Sequence, residues 1–120
     1  MTQTSPSGTA VLEGTIEIEF LYFDDCPSHE RALELLEQAV QDEGVDARID
    51  IRCVETEEEA EAYRFPGSPT IRVNGVDIDQ DATPPVGLSC RAYRLENGRI
   101  SPLPPKEKIV SAIRQAARSR

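Results

Sequence analysis

The side chains best suited to chemistry in this 120-residue chain cluster in Tyr22-Phe23-Asp24-Asp25-Cys26-Pro27-Ser28-His29. An apolar run ends there in two carboxylates, a cysteine and a proline, and a strongly helical segment follows. Proline suits the first helical position, where its missing N–H costs nothing and its φ is already helical. Cys26 is therefore expected at or beside an N-cap, with unpaired N–H groups and the positive end of the helix dipole facing its sulfur. Such a setting favours the thiolate, which is both the nucleophile and the soft-metal ligand. His29, the only histidine in the chain, lies one turn further along the same face. Two roles stand open for it: general base or cation partner of Cys26, or a partly buried histidine bonded locally. Asp24 and Asp25 oppose ionisation of a nearby thiol. They read either as a solvated turn or as a carboxylate able to pass a proton beside the sulfur.

Two further cysteines complete the inventory. Cys53 shares a strand face with Ile49 and Ile51 and reads as core. Cys90 is either a second functional thiol or a core cysteine on an extended segment. Nothing in the sequence activates the Ser68 hydroxyl, so Ser68 reads as structural rather than nucleophilic. Arg91 and Arg94 offer a cation near Cys90, but surface arginines are common.

Composition narrows the classes. The formal net charge is −9, with 22 acidic and 13 basic side chains, which argues against nucleic acid and anionic membranes as partners. No apolar run approaches the ~18 residues of a membrane span. The N-terminus has neither the basic nor the apolar region of a secretory signal. Three spread cysteines are too few for a disulfide scaffold. These features point to a cytoplasmic protein whose thiols rest reduced. The length suits one domain: residues 1–14 are small and polar, a flexible lead-in, and 15–120 form the folded unit.

The elements that must position the cysteines follow from periodicity. Thr15 to Phe23 reads as a strand that becomes continuously apolar at its end, as a central strand does. Pro27 to about Glu43 reads as a helix, with Leu33, Leu36 and Val40 on one face and Gly44 as its terminator. Asp46 to Val54 alternates polar and apolar, which predicts a second strand at a sheet edge. Thr56-Glu57-Glu58-Glu59 matches a capping box opening a short helix to about Tyr63. Thr70 to Val73 and Val76 to Ile78 flank Asn74-Gly75, a strong hairpin signal. Asp79 to Gly87 reads as a loop, Ser89 to Leu95 as extended, and Asn97-Gly98 as another tight turn. A last helix opens at Pro105 or Lys106 and runs to about Ala117. The order predicts α/β layers with helices on both faces: a four-stranded mixed sheet, three helices, and an extra extended or hairpin segment near 89–100.

Two motifs in this order, Cys26-Pro27-Ser28-His29 after the first strand and Ser68-Pro69-Thr70 opening the third, resemble the thioredoxin-like superfamily over nearly the whole chain after residue 14. That family carries Cys-x-x-Cys at the first motif and a cis-proline beside the nucleophilic sulfur at the second. The resemblance implies a cis Ser68–Pro69 bond and a Ser68 backbone offered to a bound chain. It also implies that the sheet end reached by the chain at Asp79 holds the active site, so that the following loop brings Cys90 towards Cys26. The strings YFDDCPSHE, FPGSPTIRVNG and GLSCRAYR further resemble small proteins loosely labelled alkylmercury lyase-like. One departure matters: His29 stands where the family has its second cysteine, which normally resolves the mixed disulfide.

Three functions follow as expectations. The first is thiol–disulfide exchange, an oxidoreductase activity in which Cys26 attacks and Cys90 resolves. Ser68 and Pro69 orient a protein or small-molecule thiol or disulfide, His29 and Asp25 assist, and no cofactor or resident metal is needed. The second is handling of mercury, organomercurials or another soft metal by Cys26 and Cys90, with Asp24 or Asp25 as proton donor. The third is a redox-inactive binding module that uses the groove beside Pro69.

Overall fold

The computed structural model describes residues 15–79, 86–95 and 97–118. The expected lead-in at 1–14 and the proline pair of the loop, Pro84-Pro85, lie outside the described residues. The elements run β1 (Ile16–Tyr22), α1 (His29–Glu43), β2 (Ala47–Cys53), α2 (Glu57–Tyr63), β3 (Thr70–Val73), β4 (Val76–Asp77), β5 (Tyr93–Arg94), β6 (Ile100–Ser101) and α3 (Lys106–Arg118). Four strands form one mixed sheet in the order β2-β1-β3-β4, and β5 and β6 form a separate two-stranded ribbon.

β1 pairs parallel with β2 and antiparallel with β3. A parallel pair needs a long crossover, which α1 supplies, whereas β3 and β4 need only the two-residue turn at Asn74-Gly75. Both turn residues take positive φ, 51° and 84°, the backbone that lets a hairpin follow the strand twist. β2 is an edge strand, as its polar face predicts, and this leaves Ile51 exposed.

The period of two along β1 sends Ile16, Ile18 and Phe20 to one face and Leu21 to the other. The first set packs with Ile71 and Val73 under α1 and α3, through Ala32, Leu36, Ala39, Ile109 and Ile113. Leu21 meets Val54, Phe65 and Ala60 of α2 on the opposite face. Helices therefore cover both faces, and β1, buried on both at Phe20 and Leu21, runs straight to the cysteine turn.

Local signals set the ends. Gly44 terminates α1 at φ 63°, and its N–H bonds back to Val40 and Gln41. Thr56 Oγ1 accepts the Glu59 N–H at 3.1 Å, as the capping box requires. The Glu59 carboxylate reaches one residue beyond the cap, to the Glu55 N–H at 2.7 Å. One start differs from expectation: α1 opens at His29, with Ser28 as N-cap, not at Pro27. The first helical bond runs from the Ala32 N–H to the Ser28 carbonyl, while the Cys26 carbonyl is taken by the His29 ring. Within the extended stretch expected over 89–95, Tyr93–Arg94 forms a strand, and residues 89–91 lie along Ser68.

Candidate two-thiol site

The site forms where β1 ends. Past Tyr22 the chain makes a turn closed by the Cys26 N–H on the Phe23 carbonyl at 2.9 Å. That turn drives Cys26 inward, where only 1% of it remains exposed, and leaves Asp24 and Asp25 outside in solvent. Cys26 lies two residues before the N-cap of α1, not at it.

The second thiol comes from the far end of the chain. Cys90 Sγ lies 3.3 Å from Cys26 Sγ and donates its S–H to it, and the Cys26 thiol faces the Ser68 carbonyl at 3.5 Å. Both cysteines are free thiols. Donation to Cys26 favours the protonated form of Cys90 and pushes its pKa up, with partial burial and the charge of the neighbouring sulfur adding to the shift.

Residues around Ser68 hold the two sulfurs in register. The Ser68–Pro69 peptide is cis, as the resemblance implies. The Ser68 backbone, expected to receive an incoming chain, is bonded instead within the molecule. Its N–H donates to the Ser89 carbonyl at 2.7 Å, and its carbonyl accepts the Arg91 N–H at 2.9 Å. Cys90 thus sits on a one-residue parallel bridge opposite Ser68. The approach is close enough that a Cβ at Gly67 would come within 3.1 Å of the Ser89 carbonyl and 3.3 Å of the Arg91 nitrogen. The Ser68 hydroxyl, fully buried, has no hydrogen-bond partner among the described residues.

Arg91 anchors this segment. Its buried guanidinium meets Asp77 at 2.9 and 3.4 Å, donates to Thr70 Oγ1 at 3.2 Å and lies 4.7 Å over the Tyr93 ring. Tyr93, also buried, donates its hydroxyl to the Pro69 carbonyl at 2.6 Å. Burial pushes the Tyr93 phenol well above its ordinary range. A buried cation is stable only when paired and bonded in this way.

His29 works on the backbone. Because a carbonyl only accepts, its Nδ1–H donates to the Cys26 carbonyl at 2.7 Å. The ring stacks on Tyr22 at 4.5 Å. Cys53, expected in the core, is only half-buried, because it ends the edge strand β2 in register with Tyr22. It lies beside the Tyr22 phenol, whose pKa is raised by burial first and then by this thiol.

The structure therefore brings together Cys26, Cys90, Ser68 and Pro69. It places His29 at the Cys26 carbonyl and Asp25 in solvent. The sequence left Arg91 as a surface cation and did not single out Gly67, Asp77 or Tyr93. A signal was present in the alternation of Arg91 and Tyr93 against Cys90 and Ala92, which turns the arginine inward with the tyrosine. Among the described residues no three His, Cys, Asp or Glu side chains group to hold a metal ion, and no helix is long and apolar enough to cross a membrane. No family model, no curated protein and no solved structure matches the chain.

Proposed function

We propose that this protein carries out thiol–disulfide exchange through Cys26 and Cys90, on a thioredoxin-like frame and in the reducing cytoplasm. The carrying observation is the 3.3 Å separation of the two sulfurs. A disulfide needs about 2.05 Å, so little more than an ångström of side-chain motion joins them. Position 29 then needs no second cysteine, because the resolving pair is assembled across the fold. In the oxidising half-reaction the two protein thiols become one disulfide and an external disulfide RSSR is reduced to two RSH; two external thiols, oxidised to their own disulfide, then return the pair to its reduced form. His29 holds the Cys26 backbone in its turn, and the cis Ser68–Pro69 unit supports the thioredoxin-like reading.

Glutathione redox buffers followed by disulfide mapping test this. The expected product is a single Cys26–Cys90 disulfide with Cys53 free; a protein that never forms that bond overturns the reading. A second reading, soft-metal handling, draws on the same pair of adjacent sulfurs, since thiolates select soft ions. Binding of Hg(II) that needs both thiols, in a protein inert to glutathione disulfide, would favour it.

A further inference from the structure

We infer that Cys90, not Cys26, is the thiol that meets the external sulfur, and that Cys26 resolves the mixed disulfide from beneath. This rests on the two-thiol reading above and reverses the order expected from the sequence. Three observations carry it. Cys26 is 1% exposed, whereas Cys90 lies on the surface. The covering segment is held on both sides of Cys90, by the Ser89 carbonyl on the Ser68 N–H and the Arg91 N–H on the Ser68 carbonyl. It is also pinned from below, since the Arg91 guanidinium is bonded to Asp77 and Thr70 and the Tyr93 hydroxyl to Pro69. The cover over Cys26 is thus a fixed part of the fold.

Exchange requires a thiolate to reach a disulfide sulfur, so access decides which thiol reacts first. A backbone laid along Ser68 is excluded by residues 89–91, which leaves Cys90 as the more exposed cysteine of the pair. Its raised pKa lowers the thiolate fraction, but a thiolate of higher pKa is the stronger nucleophile once formed. Cys90 loses its proton to solvent and attacks RSSR; the Cys90–SR bond forms, the S–S bond breaks and RS⁻ leaves. Cys26, deprotonated in turn, attacks Cys90 Sγ from 3.3 Å and expels the second RS⁻. Both leaving groups take up the protons released, so two protein thiols are oxidised and one RSSR is reduced.

Cys26→Ser and Cys90→Ser, each exposed to glutathione disulfide and analysed by intact mass and peptide mapping, distinguish the two orders; mapping separates any adduct on Cys53. Cys26→Ser is expected to accumulate a glutathione adduct on Cys90 roughly tenfold or more faster than Cys90→Ser does on Cys26. Equal or faster capture at Cys26 overturns the inference. Native alkylation of the reduced wild type needs no variant to fold. It should label Cys90 well before Cys26, and the opposite order again overturns the inference. If the wild type never forms the Cys26–Cys90 disulfide, the two-thiol reading falls and the inference with it. If the disulfide forms while Cys26 is captured first, only the order falls.

Discussion

Cys90 and Tyr93 both hold their protons beyond the ordinary range, for different reasons. For Cys90 the leading cause is the S–H bond to Cys26, so removing that acceptor reverses most of the shift. In Cys26→Ala the pH midpoint of Cys90 alkylation should fall towards the ordinary thiol value of ~8.5, and an unchanged midpoint would show that the sulfurs do not interact in solution. For Tyr93 the cause is burial. The unfolded phenol ionises near ~10, whereas the folded one stays protonated, so above that pH the unfolded chain binds fewer protons and stability falls. Tyr93→Phe should make the alkaline decline of the denaturation midpoint shallower. At neutral pH it should cost about 1–3 kcal/mol, because the buried Pro69 carbonyl loses its donor.

Single elements place these residues. The segment carrying Cys90 has almost no strand structure of its own and is held by the Arg91 guanidinium on Thr70 of β3 and Asp77 of β4 and by a close backbone approach at Gly67. The Arg91–Asp77 pair is nearly sealed, with side chains 1% and 14% exposed. Arg91→Ala leaves the Asp77 carboxylate without its cation, bonded only to the Asp79 N–H, and should cost about 3–5 kcal/mol by urea denaturation, far more than an exposed pair such as Arg31–Glu34, worth about 0–1 kcal/mol. Gly67 holds φ at 123°, where L side chains are strained, and its Cβ space is filled by residues 89–91. Gly67→Ala should therefore lift the segment and slow Cys26–Cys90 disulfide formation. Wild-type oxidation kinetics in that variant would show that the close approach is dispensable.

Across the whole molecule, oxidation of the pair links positions 64 residues apart, from the end of β1 to the approach of β5. A cross-link of that span removes denatured-chain entropy worth about 4 kcal/mol, the upper bound set by loop length. The oxidised protein should therefore unfold at higher denaturant than the reduced one, and Cys90→Ser should abolish the difference. Equal midpoints in the two redox states would argue that oxidation strains the fold as much as it restrains the unfolded chain.

Determinants within a few residues were legible in the sequence. The central strand, the glycine stop at Gly44, the Thr56 cap and the Asn74-Gly75 hairpin each follow from a local pattern acting on its own backbone, and the four-stranded layout follows from their order. Cys26 was legible as a candidate because a strand, a thiol and a proline stand side by side. The tertiary structure alone decided that Cys26 is buried and Cys90 exposed, that the Ser68 backbone is satisfied within the chain, and that Arg91 pairs with Asp77. Each of those outcomes depends on segments far apart in sequence being pressed together. The cost of burying a charge or leaving a carbonyl unpaired can be met only by a partner that folding brings there.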